Sequence, residues 1–154
     1  MEIELFNNKI KVFECGKVLV YKNRKVNPEY YEMKFYICRG YKTIKLCHKG
    51  KQKIYKIHRL VAFAFLGLDI ENPKKVIDHI NRNRLDNQVS NLRIVSNQQN
   101  QWNRNAKGYT KEGNNYKARI VINNKKIYLG RFDTEEEANN AYLIAKQIHH
   151  PLPQ

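Results

Sequence analysis

Apolar and polar residues alternate in short runs through the first third of the chain, at residues 9–13, 18–21, 31–38, 41–47 and 53–57. Period-two runs of this length predict strands with one buried face. Lys49-Gly50, between the last two runs, predicts a hairpin turn. Alternation in that hairpin puts Ile44 and Leu46 on one face, while Lys42 and Lys45 point in other directions. At His58 the period becomes helical. Leu60, Val61, Ala64 and Phe65 form the apolar stripe of a helix over 58–66, which Gly67 ends. Residues 68–75, with Pro73, have the composition of a connector.

Two further units follow. Residues 76–79 read as a strand, 80–91 as a polar loop and 92–95 as a returning strand. Ser96 with Gln99 three residues on is a capping box, so a helix should start there with Asn100 in its first turn. After the polar stretch 103–106 come three predicted strands, 108–111, 115–122 and 125–132, with Asn123-Asn124 at the second turn. Thr134 caps a last helix over 135–149, acidic in its first turn and stopped by Pro151. The expected fold class is α+β: a small N-terminal β-sheet plus helix, a central ββα unit, and a C-terminal three-stranded sheet packed on one helix. The expected modules are 1–57, 58–104 and 105–154.

Composition narrows the partner. Among 154 residues, 29 Lys and Arg face 14 Asp and Glu, a net charge of +15 spread through every segment. Cations placed on phosphates release counterions, so a nucleic acid is the expected partner. A membrane is disfavoured, because no apolar run approaches the ~20 residues needed to cross one, and residues 1–6 are too acidic and short for a signal peptide. The expected location is therefore cytoplasmic. Cys15, Cys38 and Cys47 form no C-x-x-C pair, which argues against a zinc knuckle or disulfide framework; each is expected to be a small apolar filler in a strand.

The central unit carries the candidate chemistry. Asp78 ends a strand and Asn100 starts a helix, and both offer oxygen ligands suited to Mg²⁺ or Mn²⁺ rather than zinc. His79, neutral at pH 7 if unperturbed, can take a proton from water as that water attacks phosphorus. Asn91, at the base of the loop, can bond the loop backbone and fix the imidazole. Arg82, Arg84 and Arg93, with Lys74 and Lys75, are candidate phosphate contacts. His58 opens a helix, so a buried or capping structural role is expected ahead of a catalytic one.

HRLVAFAFLG followed by VIDHINRNRLDNQVSNLRIVSNQQNQWN, residues 58–103, resembles the HNH endonucleases, and more closely their homing branch in phage introns and free-standing phage genes. The resemblance implies metal ligation by Asp78 and Asn100, general-base catalysis by His79 and loop ordering by Asn91. Asn100 stands where many members place a histidine ligand, which disfavours zinc and leaves Mg²⁺ and Mn²⁺. Residues 108–150, most specifically YLGRFDTEEEANNAY, resemble the sheet-plus-helix DNA-binding domain of the apetala and ethylene-response-factor type. Mapped by position, Tyr116, Lys117, Arg119, Lys126, Tyr128 and Arg131 become candidate DNA contacts, although strict alternation cannot put all six on one face. Leu129 and Phe132 are expected to pack against the helix. In the N-terminal sheet, Lys42, Lys45, Lys51 and Lys53 can track a phosphate backbone, or the sheet can be a scaffold.

The expected activity is metal-dependent hydrolysis of phosphodiesters in double-stranded DNA. The chain is expected to act as a monomer that nicks one strand, with no protein partner implied. The competing readings are a DNA-binding regulator with an inactive nuclease unit and a nuclease acting on RNA or structured DNA.

Overall fold

The computed structural model describes residues 1–22, 29–70 and 75–153; Lys74, one of the candidate phosphate contacts, lies outside them. The architecture is mixed α+β. Strands β1 (Glu2–Leu5), β2 (Asn8–Val12), β3 (Val18–Lys22) and β4 (Glu29–Glu32) form one antiparallel sheet in that order. A second sheet holds β5 (Tyr36–Cys38), β6 (Tyr41–His48) and β7 (Lys51–Lys56), and β7 runs directly into helix α1 (Ile57–Phe65). The hairpin of β8 (Val76–His79) and β9 (Leu92–Val95) precedes α2 (Asn97–Trp102). The last sheet is β10 (Tyr109–Glu112), β11 (Asn115–Ile122) and β12 (Lys125–Phe132), followed by α3 (Glu135–His149).

The amino-terminal region thus holds two sheets where one was expected. The run 31–38 is divided, its first part pairing with β3 and its last part with β6. Strand β1 has no counterpart among the predicted strands because its turn is Phe6-Asn7, with φ of 49° and 55°. A bulky aromatic is uncommon in the left-handed region, so nothing local announces that hairpin. The Lys49-Gly50 and Asn123-Asn124 turns have positive φ at both positions, as two-residue hairpins need.

The chain divides into two compact units, residues 1–100 and 101–153. The first has one continuous core. Ile10, Val12, Val18 and Val20 from the first sheet join Ile44, Leu46 and Tyr55 from the second, Leu60, Val61 and Ala64 from α1, and Ile77 and Leu92 from the β8–β9 hairpin. Segments expected as separate modules at 1–57 and 58–104 therefore cover one another's apolar faces, because neither sheet can bury its inner face alone. The second unit has a small core of its own, Ile120, Tyr142 and Ala145, with Ile122 and Leu129 against it. Gly108 (φ +75) lies so close to α3 that a Cβ there would overlap the Tyr142 ring.

The cysteines correct an expectation, since all three are exposed rather than buried fillers. Among the described residues no helix is long and apolar enough to cross a membrane.

Candidate active site

The hairpin register sets Asp78 opposite Arg93 and His79 opposite Leu92. Asp78 and His79 are both about 5% exposed, so a carboxylate and an imidazole are buried side by side. Burial of a carboxylate requires a partner. Arg93 supplies it, its Nε and Nη2 donating to Asp78 Oδ2 at 2.9 and 2.8 Å. Arg93, expected among the phosphate contacts, is thus committed to Asp78. Arg82 and Arg84 are exposed on the loop, and Arg84 lies over the Tyr41 ring at 5.1 Å.

The loop between the strands is ordered by its own side chains. Asn91 accepts from the Asn81 backbone N–H at 2.9 Å and donates through Nδ2 to the Asp86 carbonyl at 2.8 Å, so one carboxamide holds both limbs of the loop. Asn81 donates to the Asp86 carboxylate and accepts from Asn83 N–H, while Asn83 accepts from Leu85 N–H. The short side chains of Asn81, Asn83, Asp86 and Asn91 substitute here for ladder hydrogen bonds, the local use to which such residues are suited. At the far end, Ser96 and Gln99 form the reciprocal capping box, with bonds of 3.2 and 2.9 Å. That cap starts α2 and sets Asn100, half-buried, in its first turn, where its N–H bonds the Ser96 carbonyl.

His79 sits in a ring cluster. His58 meets it edge to face at 5.2 Å, and Tyr41 lies 4.9 Å from His58 and 6.2 Å from His79. Burial lowers the His79 pKa below its usual value, against opposing contributions from the Asn87 hydrogen bond, Asp78 and Asp86. His58 is pushed down to about 3, chiefly by burial and then by His79 and nearby cations. Both rings are therefore neutral at pH 7. The His58 Nδ1 is buried with no hydrogen-bond partner among the described residues, so the ring opens α1 as a packing element and makes no cap.

Sequence reasoning missed Asn87 and Tyr41. Asn87 is 4% exposed and its Oδ1 lies 3.2 Å from His79 Nε2. Nothing local separates it from the other asparagines of the loop, because only the tertiary packing buries it.

Among the described residues no group of three or more His, Cys, Asp or Glu is set to hold a metal. The expected ligands, one carboxylate and one carboxamide, differ from such a cluster in kind. Mg²⁺ typically takes one or two protein oxygens and completes its shell with water and substrate phosphate, so the donor chemistry of Asp78 and Asn100 fits a hard divalent cation.

In the second unit the cross-strand register pairs Lys117 with Arg131, Arg119 with Tyr128 and Val121 with Lys126. Ala118 and Ile120 face α3, which leaves Lys117, Arg119 and Val121 on the open side. Between these pairs the register slips at Ala118/Arg119, so that Leu129 has no partner in the ladder and turns toward the core. The slip brings Lys126, Tyr128 and Arg131 to one face despite their mixed parity. Lys117 accordingly lies over the Tyr128 ring at 5.6 Å, and Arg119 donates to Thr110 at 2.9 Å. Tyr116 is the exception among the six candidates, half-buried on the other side and edge-on to Tyr109. In the first unit, alternation sends Lys45 to the Tyr41 side of β6 and Lys42, contrary to expectation, to the side of Ile44 and Leu46, over Phe35, because residues 42, 44 and 46 share one parity.

Residues 55–102, which include all four candidate site residues, match the family model of the HNH endonucleases. An uncharacterised HNH endonuclease of Acanthamoeba polyphaga mimivirus is 36% identical over 106 residues, 64% of this chain and 54% of that protein. The H-N-H endonuclease F-TflI of Escherichia phage T5 is 37% identical over 62 residues, 40% of this chain and 32% of its own length. The chain thus spans about half or less of these relatives. The solved structure of the HNH homing endonuclease I-HmuI, which binds and cleaves DNA, aligns with a TM-score of 0.47 at 26% identity, over 69% of this chain and 62% of that one. The loop-bearing hairpin that buries Asp78 and His79, with the helices before and after it, lies within the stretch that is similar to the HNH endonucleases.

Proposed function

We propose that this chain is a divalent-metal-dependent DNA endonuclease of homing type, acting as a monomer and nicking one strand. The observation that carries this reading is the burial of a neutral His79 and of its chain neighbour Asp78 at the mouth of an asparagine-ordered loop. His79 takes a proton from water as the water oxygen bonds to phosphorus. The bond to the 3′ oxygen then breaks, and that oxygen is protonated from solvent. Asp78 and Asn100 would hold Mg²⁺ or Mn²⁺, whose charge offsets that developing on the phosphate. Asn91 keeps the loop, and so the histidine, in place. Arg93 neutralises Asp78 when no cation is there and keeps its carboxylate in position.

Substrate binding falls to surfaces whose charge matches a polyanion. Residues 33–68 contain no Asp or Glu, and Lys45, Lys56 and Arg84 lie on or beside the part of the second sheet where Tyr41 meets the histidines. The open face of the last sheet offers Lys117, Arg119, Lys126, Tyr128 and Arg131 to a DNA groove or backbone.

The test is incubation with supercoiled plasmid, with and without Mg²⁺ or Mn²⁺. Open circles formed only with metal, and abolished in His79→Ala, are the expected result. Binding without cutting by the unaltered protein would instead make it a DNA-binding regulator, and rapid appearance of linear plasmid would exclude simple nicking.

A further inference from the structure

A general base works only if the nitrogen facing the water carries the lone pair. Neutral imidazole has one N–H, and its tautomer is set by what the other nitrogen bonds. In this protein the partner of His79 Nε2 is the Asn87 carboxamide at 3.2 Å, with both residues buried. With Oδ1 toward the ring and Nδ2 left buried without a partner among the described residues, Asn87 accepts from the ring, so the hydrogen resides on Nε2 and the lone pair on Nδ1. The reverse orientation would force the proton onto Nδ1 and leave the ring without a basic nitrogen for chemistry.

Asn87 is in turn held from behind by the turn joining β2 and β3. The Val89 N–H donates to the Glu14 carbonyl at 2.8 Å. Gly16, at φ +84°, comes so near that a Cβ there would lie 3.0 Å from the Asn87 Cβ and 3.3 Å from the Asn87 backbone carbonyl oxygen. The turn is closed on itself, with Phe13 N–H bonding Lys17 O and Gly16 N–H bonding Phe13 O. The strands it joins contribute Val12 and Val18, both in the core. The turn of the first sheet therefore backs the Cβ and backbone of the residue that bonds the catalytic imidazole.

We propose that Asn87 is a positioning residue for His79: it accepts the Nε2 hydrogen, the Gly16 turn packs against its Cβ and backbone, and Nδ1 is thereby the nitrogen that takes the proton from water. The proposal rests on the nuclease reading for its catalytic meaning, but the tautomer it assigns is a property of the folded chain alone.

Two measurements separate these. In long-range ¹H–¹⁵N spectra of the unaltered protein, the His79 ring should show one tautomer, protonated at Nε2. A ring protonated at Nδ1 overturns the proposal whether or not the protein cuts DNA. In plasmid nicking, Asn87→Ala should lower kcat by about 10- to 100-fold, the usual range for a residue that orients a catalytic ligand or base. KM should stay within about threefold, because Asn87 is buried. Asn87→Asp keeps an acceptor oxygen at the same reach and should recover most of kcat, which a merely structural role would not predict. An Ala variant with unaltered kcat, or an Asp variant as impaired as the Ala variant, overturns the assignment. If the Ala variant does not fold, the Asp variant and the ring spectrum still decide. Failure of the unaltered protein to nick with either metal counts against the nuclease reading and leaves the tautomer assignment to the spectrum.

Discussion

The β8–β9 hairpin and the β10–β12 sheet place their polar residues in opposite ways. In the hairpin, Asp78, His79, Asn87 and Asn91 are withdrawn from solvent and each is bonded by a neighbour. On the last sheet Tyr128 is 56% exposed, and Arg119 and Lys117 make only surface contacts. Groups that move protons need a fixed pose and a shifted pKa, which burial supplies. Groups that meet a long polyanion need reach and hydration, because the gain comes from counterions released when they arrive. Chemistry and recognition should therefore separate cleanly under mutation.

The sharpest contrast comes from His79→Ala. It should reduce kcat by roughly a thousandfold, within the span of general-base effects, while DNA affinity measured by filter binding changes little. A large drop in affinity would show that the two regions are not distinct in function. Next in size is Arg93→Ala, which leaves Asp78 buried without its main cation. Without metal, urea unfolding should show a decrease in stability of about 3 kcal/mol, as for other broken buried pairs, and added Mg²⁺ should restore part of it if Asp78 is a ligand. A variant as stable as the parent would mean that Asp78 has other sufficient support.

The buried histidines also tie stability to pH. His58 has a pKa of about 3 in the fold against 6.5 unperturbed, so the unfolded chain takes up the proton first. The stabilisation is complete above pH 6.5 and declines progressively as pH falls toward 3. Between pH 6.5 and 4.5 this amounts to about 2 kcal/mol for a fully buried ring, and His58→Phe should flatten that part of the profile. An unchanged slope would place the titration elsewhere. The smallest effect is on the open sheet face. Replacing Lys117, Arg119 and Arg131 together by Ala should weaken DNA binding about tenfold at ordinary salt, and should make the salt dependence shallower by roughly one for each phosphate no longer neutralised. kcat at saturating DNA should stay as in the parent. A fall in kcat instead would draw the sheet into the chemistry.

How much of this was legible differs by element. The Ser96-Gln99 box is a local signal that announced α2, and Thr134 did the same for α3, where the structure adds a reciprocal bond from Glu137. The Asn123-Asn124 and Lys49-Gly50 turns were equally plain. The Phe6-Asn7 turn was not, since its left-handed backbone opposes the preference of phenylalanine. Parity along β12 set Arg131 apart from Tyr128, and only the register slip at Leu129 reunited them.

At the site, the residue types and spacing of Asp78, His79, Asn91 and Asn100 marked a candidate chemistry, because few side chains can ligate a hard cation or accept a proton at neutral pH. Charge likewise pointed to a polyanion without reference to any fold. Periodicity marked which faces are apolar but not what covers them, so the shared core of the first hundred residues became visible only in the folded chain. The same holds for the partners of the site. Asp78 acquired Arg93 through strand register, His79 acquired His58 through packing between distant segments, and it acquired Asn87 through the folding of the loop that follows it. Hydrogen bonds and ring contacts of that kind depend on positions in space, which a one-dimensional pattern of residue types does not encode.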